Sequence, residues 1–153
     1  MPDKIHLTVA ALVCDDNRFL CVSEMDQGRA VINQPAGHVE PGESLIEAVE
    51  REALEETGWS VRATALLGIA IYTAPTSSAS CSRVTYYRVN FACDPIHHNP
   101  HQSLDPDIAA VLWLSPRQLR ERHAEMRSPL VLKAIEDHLS GRRYPLGIIS
   151  DYR

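Results

Sequence analysis

Between Gly37 and Trp59 the chain carries seven acids (Glu40, Glu43, Glu47, Glu50, Glu52, Glu55, Glu56) against one base, Arg51. The other 130 residues hold 14 Lys/Arg against 13 Asp/Glu, so the net charge of −5 is concentrated in this one stretch. The same stretch dictates its own local structure. Pro35-Ala36-Gly37-His38 and Pro41-Gly42 force a loop. Ser44 is then a good N-cap with Glu47 three residues on, the reciprocal capping box, and Gly58 stands where a helix ends in a left-handed residue. The spacing predicts a loop followed by a helix over 44–57.

On that helix Leu45, Val49 and Ala53 form an apolar stripe at 100° per residue. Glu52, Glu55 and Glu56 fall on an arc beside and overlapping it, near the C-terminal end. For folding alone this is poor. Glu52 and Glu56 are like charges at i,i+4, costing about 0.2–0.5 kcal/mol. Both also lie near the negative end of the helix dipole. Rules of local structure are broken in this way where function is built. A hard divalent cation reverses the sign, because Mg²⁺ takes oxygen ligands from carboxylates, water and substrate phosphates. Glu52 and Glu56 project from successive turns, close enough to share one ion, with Glu55 on the adjoining edge. Arg51 is i,i+4 from both Glu47 and Glu55 and can hold carboxylates in place. The plainer alternative is a solvated acidic face with ordinary ion pairs.

The residues Gly37-His38-Val39-Glu40-Pro41-Gly42-Glu43, seven more, then Arg51-Glu52-Ala53-Leu54-Glu55-Glu56-Thr57-Gly58-Trp59 resemble the Nudix box, G-x5-E-x7-R-E-U-x-E-E-x-G-U, where U is bulky and apolar. Seven fixed identities match. At typical residue usage, chance supplies that with odds on the order of 10⁻⁶ or less in one chain. The departure is Ala53, where the family prefers Ile, Leu or Val; it faces the core. The resemblance implies an α/β fold, an α/β/α sandwich around a mixed central sheet, with residues 1–153 as a single Nudix hydrolase domain. It implies Mg²⁺, with Mn²⁺ able to substitute. Gly37 (through its carbonyl), Glu52, Glu55 and Glu56 are the implied metal ligands. Glu52 or Glu55 is the implied base, and Arg51 and Glu43 the residues that orient them. Metal ions would neutralise pyrophosphate oxygens and lower the pKa of a bound water for attack on phosphorus.

The remaining chain fits that order of elements. His6 to Val13 and Phe19 to Val22 read as a hairpin around Asp15-Asp16-Asn17, and Val31-Ile32 as a short strand ended by Pro35. Ser60 to Thr73 and Arg83 to Ala92 read as strands joined by a loop from Pro75 to Ser82. A loop from Asp94 to Asp107, with three prolines, precedes a strand from Ile108 to Leu114. Two short helices open on Ser115-Pro116 and Ser128-Pro129, and Gly141 closes the second.

A narrower resemblance, to a group of bacterial phosphatases within the family, rests on three segments. They are Asn33-Gln34-Pro35-Ala36-Gly37-His38, Arg127-Ser128-Pro129-Leu130-Val131 and Ser140-Gly141-Arg142-Arg143-Tyr144-Pro145-Leu146. It implies phosphate release from nucleoside di- and triphosphates and action on hydroxymethylpyrimidine pyrophosphate and thiamine pyrophosphate. Two alternatives stay open. One is cleavage of nucleoside diphosphates linked to another group, such as ADP-ribose or dinucleotides; Pro75, 16 residues past Trp59, is a weak pointer to it. The other is a non-catalytic nucleotide sensor, which typically lacks box carboxylates that this chain keeps.

At 44% hydrophobic and 23% charged residues the composition is globular. No basic stripe suits nucleic acid, and no apolar run reaches the roughly 20 residues that span a bilayer. The four cysteines, Cys14, Cys21, Cys81 and Cys93, stand singly and read as reduced thiols of a cytoplasmic protein, monomer or homodimer. A Cys14–Cys21 bridge is the disulfide alternative. Other candidates are weighed against plain roles. His97, His98 and His101 form a His-His-x-x-His cluster, here read as solvated. His38 is a loop residue or a site residue equally. Asp107, rather than Asp105, is favoured as an additional acid of the metal site. Trp113 anchors the core. Arg29, Arg83 and Arg88 read as surface charges, and one of Tyr72, Tyr86 and Tyr87 is available to stack on a substrate ring.

Overall fold

The structure, a computed structural model, describes residues 3–75 and 83–153. Its elements run β1 (Lys4–Asp15), β2 (Arg18–Asp26), β3 (Arg29–Asn33), β4 (Ala36–His38), α1 (Leu45–Thr57), β5 (Trp59–Ala74), β6 (Val84–His98), β7 (Ile108–Leu114), α2 (Pro116–Glu121) and α3 (Pro129–Leu139), with short 3₁₀ turns at His123–Glu125 and Leu146–Ile148. The loop expected between Pro75 and Ser82 lies, from residue 76 on, outside the described residues, as does Cys81.

The strand order is β3-β2-β1-β6-β5, with β4 pairing β1 and β7 pairing β2. β1 and β6 are parallel and the other pairs antiparallel, giving the mixed sheet. Asp16 and Asn17 both have positive φ (49° and 56°), the geometry of a tight hairpin turn that Asp and Asn tolerate. Beyond that turn β2 leaves β1, pairing it at Cys14↔Phe19 and Asp15↔Arg18, and continues with β3 and β7.

Both faces are covered. Val9, Ala11 and Val13 of β1, with Val89 and Phe91 of β6, pack under Ala48, Val49 and Ala53 of α1. Leu12, Ala92 and Leu67 point the other way, against Leu119 of α2 and Val131, Ala134 and Ile135 of α3. Coverage on both sides explains why Val9 to Val13 is an unbroken buried run instead of an alternating one. Ala53 is fully buried as expected. The result is an α/β/α sandwich.

Two elements differ from the reading of the sequence. Ala36–His38, expected in a loop, forms β4 against Thr8, Val9 and Ala10. Strand β6 continues through Asp94 to His98, pairing with β5 across Pro95, because Val61 faces that proline at a register shift and needs no ladder donor there. Cys14, Cys21 and Cys93 are free thiols, so no Cys14–Cys21 bridge forms.

Candidate active site

Helix α1 is set by its caps. Ser44 Oγ accepts from the Glu47 N–H at 3.0 Å, and Glu47 accepts from the Ser44 N–H at 2.8 Å. Gly58 closes the helix at φ 76°, its N–H on Leu54 O. A Cβ at Gly58 would stand 2.8 Å from the Asn99 carbonyl, so conformation and space both demand glycine. The segment after β6 docks on this helix end. Asn99 N donates to Gly58 O at 2.9 Å, and Asp105 N donates to Glu55 O at 3.1 Å. The second bond satisfies a carbonyl that the helix cannot pair itself.

That docking carries Asp105 to the helix. One oxygen each from Glu52, Glu55 and Asp105 lie within 4.8 Å of one another. Three carboxylates held so closely repel unless a proton or a cation joins them. The site also has a cradle: a Cβ on residue 37 would fall 2.2 Å from Glu52 Cδ. Gly37, on β4, therefore leaves the space that the Glu52 carboxylate occupies. Hard oxygen donors of this kind fit a divalent cation.

Arg51 gathers the carboxylates. Its Nε and Nη2 donate to Glu43 at 3.0 and 2.7 Å, its Nη1 to Glu52 at 2.9 Å and Glu55 at 3.1 Å, and Nη2 also to the His38 carbonyl at 3.0 Å. The hydrogen bonds from Arg51 hold the Glu43 carboxyl below its usual range. The expected Arg51–Glu47 pair does not form. Glu47 is held by its cap and by Arg153, whose Nη1 reaches it at 2.6 Å.

Glu56 stands apart from the Glu52–Glu55–Asp105 group. Its Oε1 accepts from the Ala36 N–H at 2.7 Å, and it is 7% exposed. Burial pushes its carboxyl up to about 8, against the Ala36 hydrogen bond, with Glu24, Glu52 and Asp105 adding repulsion. Burial also raises Glu52, opposed by Arg51. A helix that buries two acids and raises both is arranged for a positive partner.

Several side chains sit elsewhere than expected. Asp107 contributes its backbone carbonyl to Met25 N, and Asp105 supplies the carboxylate at the cluster. His98 stacks on Trp59 at 4.9 Å, and among the described residues the His-His-x-x-His trio is not gathered for a metal. His38 pairs with His6 at 2.6 Å, and His6 packs on Tyr86 at 5.3 Å. Trp113 packs edge-on to Trp59 at the core margin. Arg83 is a surface charge near Asp3, but Arg88 is not. Arg88 is 6% exposed, with Nη2 on Asn33 at 3.0 Å and Gln34 at 2.7 Å. Asn33 and Arg127 converge in turn on the buried Glu24 at 3.0 and 2.8 Å. The sequence carried one hint of this polar layer: Tyr86, Arg88 and Asn90 alternate onto a single face of β6.

Residues 4–133 match the NUDIX domain family. The chain belongs to the Nudix hydrolases. It is similar to Phosphatase NudJ of Escherichia coli strain K12, 38% identical over 149 residues that cover 97% of this chain and 93% of that protein. Among solved structures it is similar to a NUDIX hydrolase from Nitrosomonas europaea, with TM-score 0.90 and 42% identity over 97% of this chain and 98% of that one. An ADP-ribose pyrophosphatase from Streptococcus suis shares the fold at 16% identity and TM-score 0.65, covering 91% and 95% of the two chains. The chain is thus a NudJ-like phosphohydrolase.

Proposed function

We propose that residues 1–153 act as one Mg²⁺-dependent domain that releases inorganic phosphate from nucleoside di- and triphosphates and from thiamine-type pyrophosphates. Hydroxymethylpyrimidine pyrophosphate and thiamine pyrophosphate are in the latter class. The observation that carries this reading is the convergence of Glu52, Glu55 and Asp105 oxygens within 4.8 Å, beside the space left by Gly37. Likeness to Phosphatase NudJ supports phosphate as the product.

Glu52, Glu55 and Glu56, with the Gly37 carbonyl and Asp105, would hold the metal; Mn²⁺ has the same oxygen preference and can replace Mg²⁺. The metal supplies charge neutralisation at the phosphates and acidifies a bound water. Glu52 or Glu55 accepts the proton as the water oxygen attacks phosphorus and the bridging P–O bond breaks in line, its electron pair leaving on the bridging oxygen. Arg51, braced by Glu43, keeps both carboxylates aimed at that point. No helix is long and apolar enough to cross a membrane, and the free thiols support a place in the cytoplasm.

Incubating pure protein with Mg²⁺ and each candidate substrate, and identifying the products, tests the reading. Inorganic phosphate is expected. Two organic phosphates from ADP-ribose or dinucleotides, with no phosphate from the preferred substrates, would move the assignment to linked nucleoside diphosphates. Turnover that survives excess chelator would reject the metal.

A further inference from the structure

The sheet face opposite α1 carries a cavity of about 290 Å³ that touches none of the box carboxylates. Its floor is Gly68, Ala70 and Asn90; Lys133 of α3 forms one wall, and Arg142 and Tyr144 the other. The cavity is built in. Leu66 and Tyr144 exchange two backbone hydrogen bonds of 2.9 Å, which pins the second wall beside the irregularity in β5 between Leu66 and Gly68. Lys133 is held by Asp137 one turn along α3. No atom lies within 4 Å of where a Cβ on Gly68 would stand, so the floor is open.

Asn90 is 4% exposed, and among the described residues nothing donates to its Oδ1. A buried amide oxygen left without a donor opposes folding and calls for an explanation. Two residues earlier on the same face, the Arg88 Nε is also without a partner. In the sheet Asn90 pairs with Ala10, and Ala10 with Ala36, whose N–H holds Glu56. Two strand spacings put Asn90 roughly 10 Å from Ala36. That is about the reach of a nucleoside from its base edge to its phosphates.

We propose that this cavity receives the ring end of the substrate whose pyrophosphate lies at the box, with Asn90 reading one edge of a nitrogen heterocycle, a nucleobase or an aminopyrimidine. The inference rests on the function proposed above. An asparagine amide sets an acceptor beside a donor, the complement of a ring edge with a donor beside an acceptor. Tyr144, 43% exposed, offers an aromatic face at the rim.

The test compares cytidine triphosphate with ring-free tripolyphosphate in wild type, Asn90→Leu and Tyr144→Ala. The KM ratio of nucleotide to tripolyphosphate is expected to rise about tenfold in Asn90→Leu, the size of one lost hydrogen bond, and to rise also in Tyr144→Ala. Binding of free cytidine, measured by NMR in chelator, needs neither metal nor turnover. Its loss in the variants supports the subsite even where wild type hydrolyses neither compound, a result that would sink the proposed reaction alone. An unchanged KM ratio, or cytidine binding equal in wild type and both variants, overturns the subsite. Asn90→Asp keeps the side-chain shape should the leucine variant fail to fold, and the same ratio is read from it.

Discussion

The carboxylate of Glu52 lies where a side chain on residue 37 would be: a Cβ at Gly37 would meet Glu52 Cδ at 2.2 Å. A residue on β4 and one on α1, brought together by the fold, thereby share one volume. The displaced group would be the end of a flexible side chain, so Gly37→Ala is expected to fold, with its melting temperature within a few degrees of wild type. The Mg²⁺ concentration for half-maximal rate should rise about 10- to 100-fold. Metal titration beside thermal melts checks this, and an unshifted titration would remove Gly37 from the site.

Glu56→Gln keeps shape and removes charge from a buried position. The fold should persist while nearly all Mg²⁺-dependent turnover is lost, as read by circular dichroism and phosphate release on the same preparation. Full activity would show that Glu56 serves the fold and not the reaction.

The same carboxyl makes stability depend on pH when metal is chelated. Folding raises it from the ordinary 4.5 to about 8. Between those values the folded chain binds a proton that the unfolded chain has lost, so unfolding free energy falls as pH rises, by up to about 1.4 kcal/mol per unit. Glu52, also raised, acts in the same direction. Above pH 8 the Glu56 contribution levels off. Urea melts in chelator from pH 5 to 9 should show this decline, and Glu56→Gln should flatten most of it. Parallel curves for the two proteins would contradict the buried, protonated Glu56.

Arg51→Lys keeps one positive charge but loses the planar fork that meets Glu43 with two nitrogens while reaching Glu52 and Glu55. A fall in kcat of about 10- to 100-fold is expected, with KM little changed, because the glutamates lose their aim and the substrate loses no contact. Steady-state kinetics with one nucleotide decides it; a KM effect alone would make Arg51 a substrate contact.

Asp105 and Asp107 separate two readings of one loop. Asp105→Asn should weaken Mg²⁺ activation about tenfold. Asp107→Asn should leave it unchanged, because that residue works through its backbone carbonyl, on Met25. The reverse pattern would restore Asp107 as the additional acid.

Helix α1, its Ser44–Glu47 cap, its Gly58 stop and the family to which the chain belongs were legible in local spacing, because caps and turns act within a few residues. The strand order could be read for the same reason, from alternation and turn residues. Three features needed the fold. Asp105 reaches Glu52 and Glu55 only because its N–H pairs with a carbonyl that α1 leaves free, a bond between segments 50 residues apart in the chain. Glu47 turns from Arg51 to Arg153, a competitor that helical spacing cannot reveal. Arg88 looks like a surface charge until β1, β6 and the Asn33–Gln34 turn close around it. Short-range hydrogen-bond grammar identifies a helix that carries acids. Which distant donor or carboxylate meets that helix depends on the packing of the whole sheet.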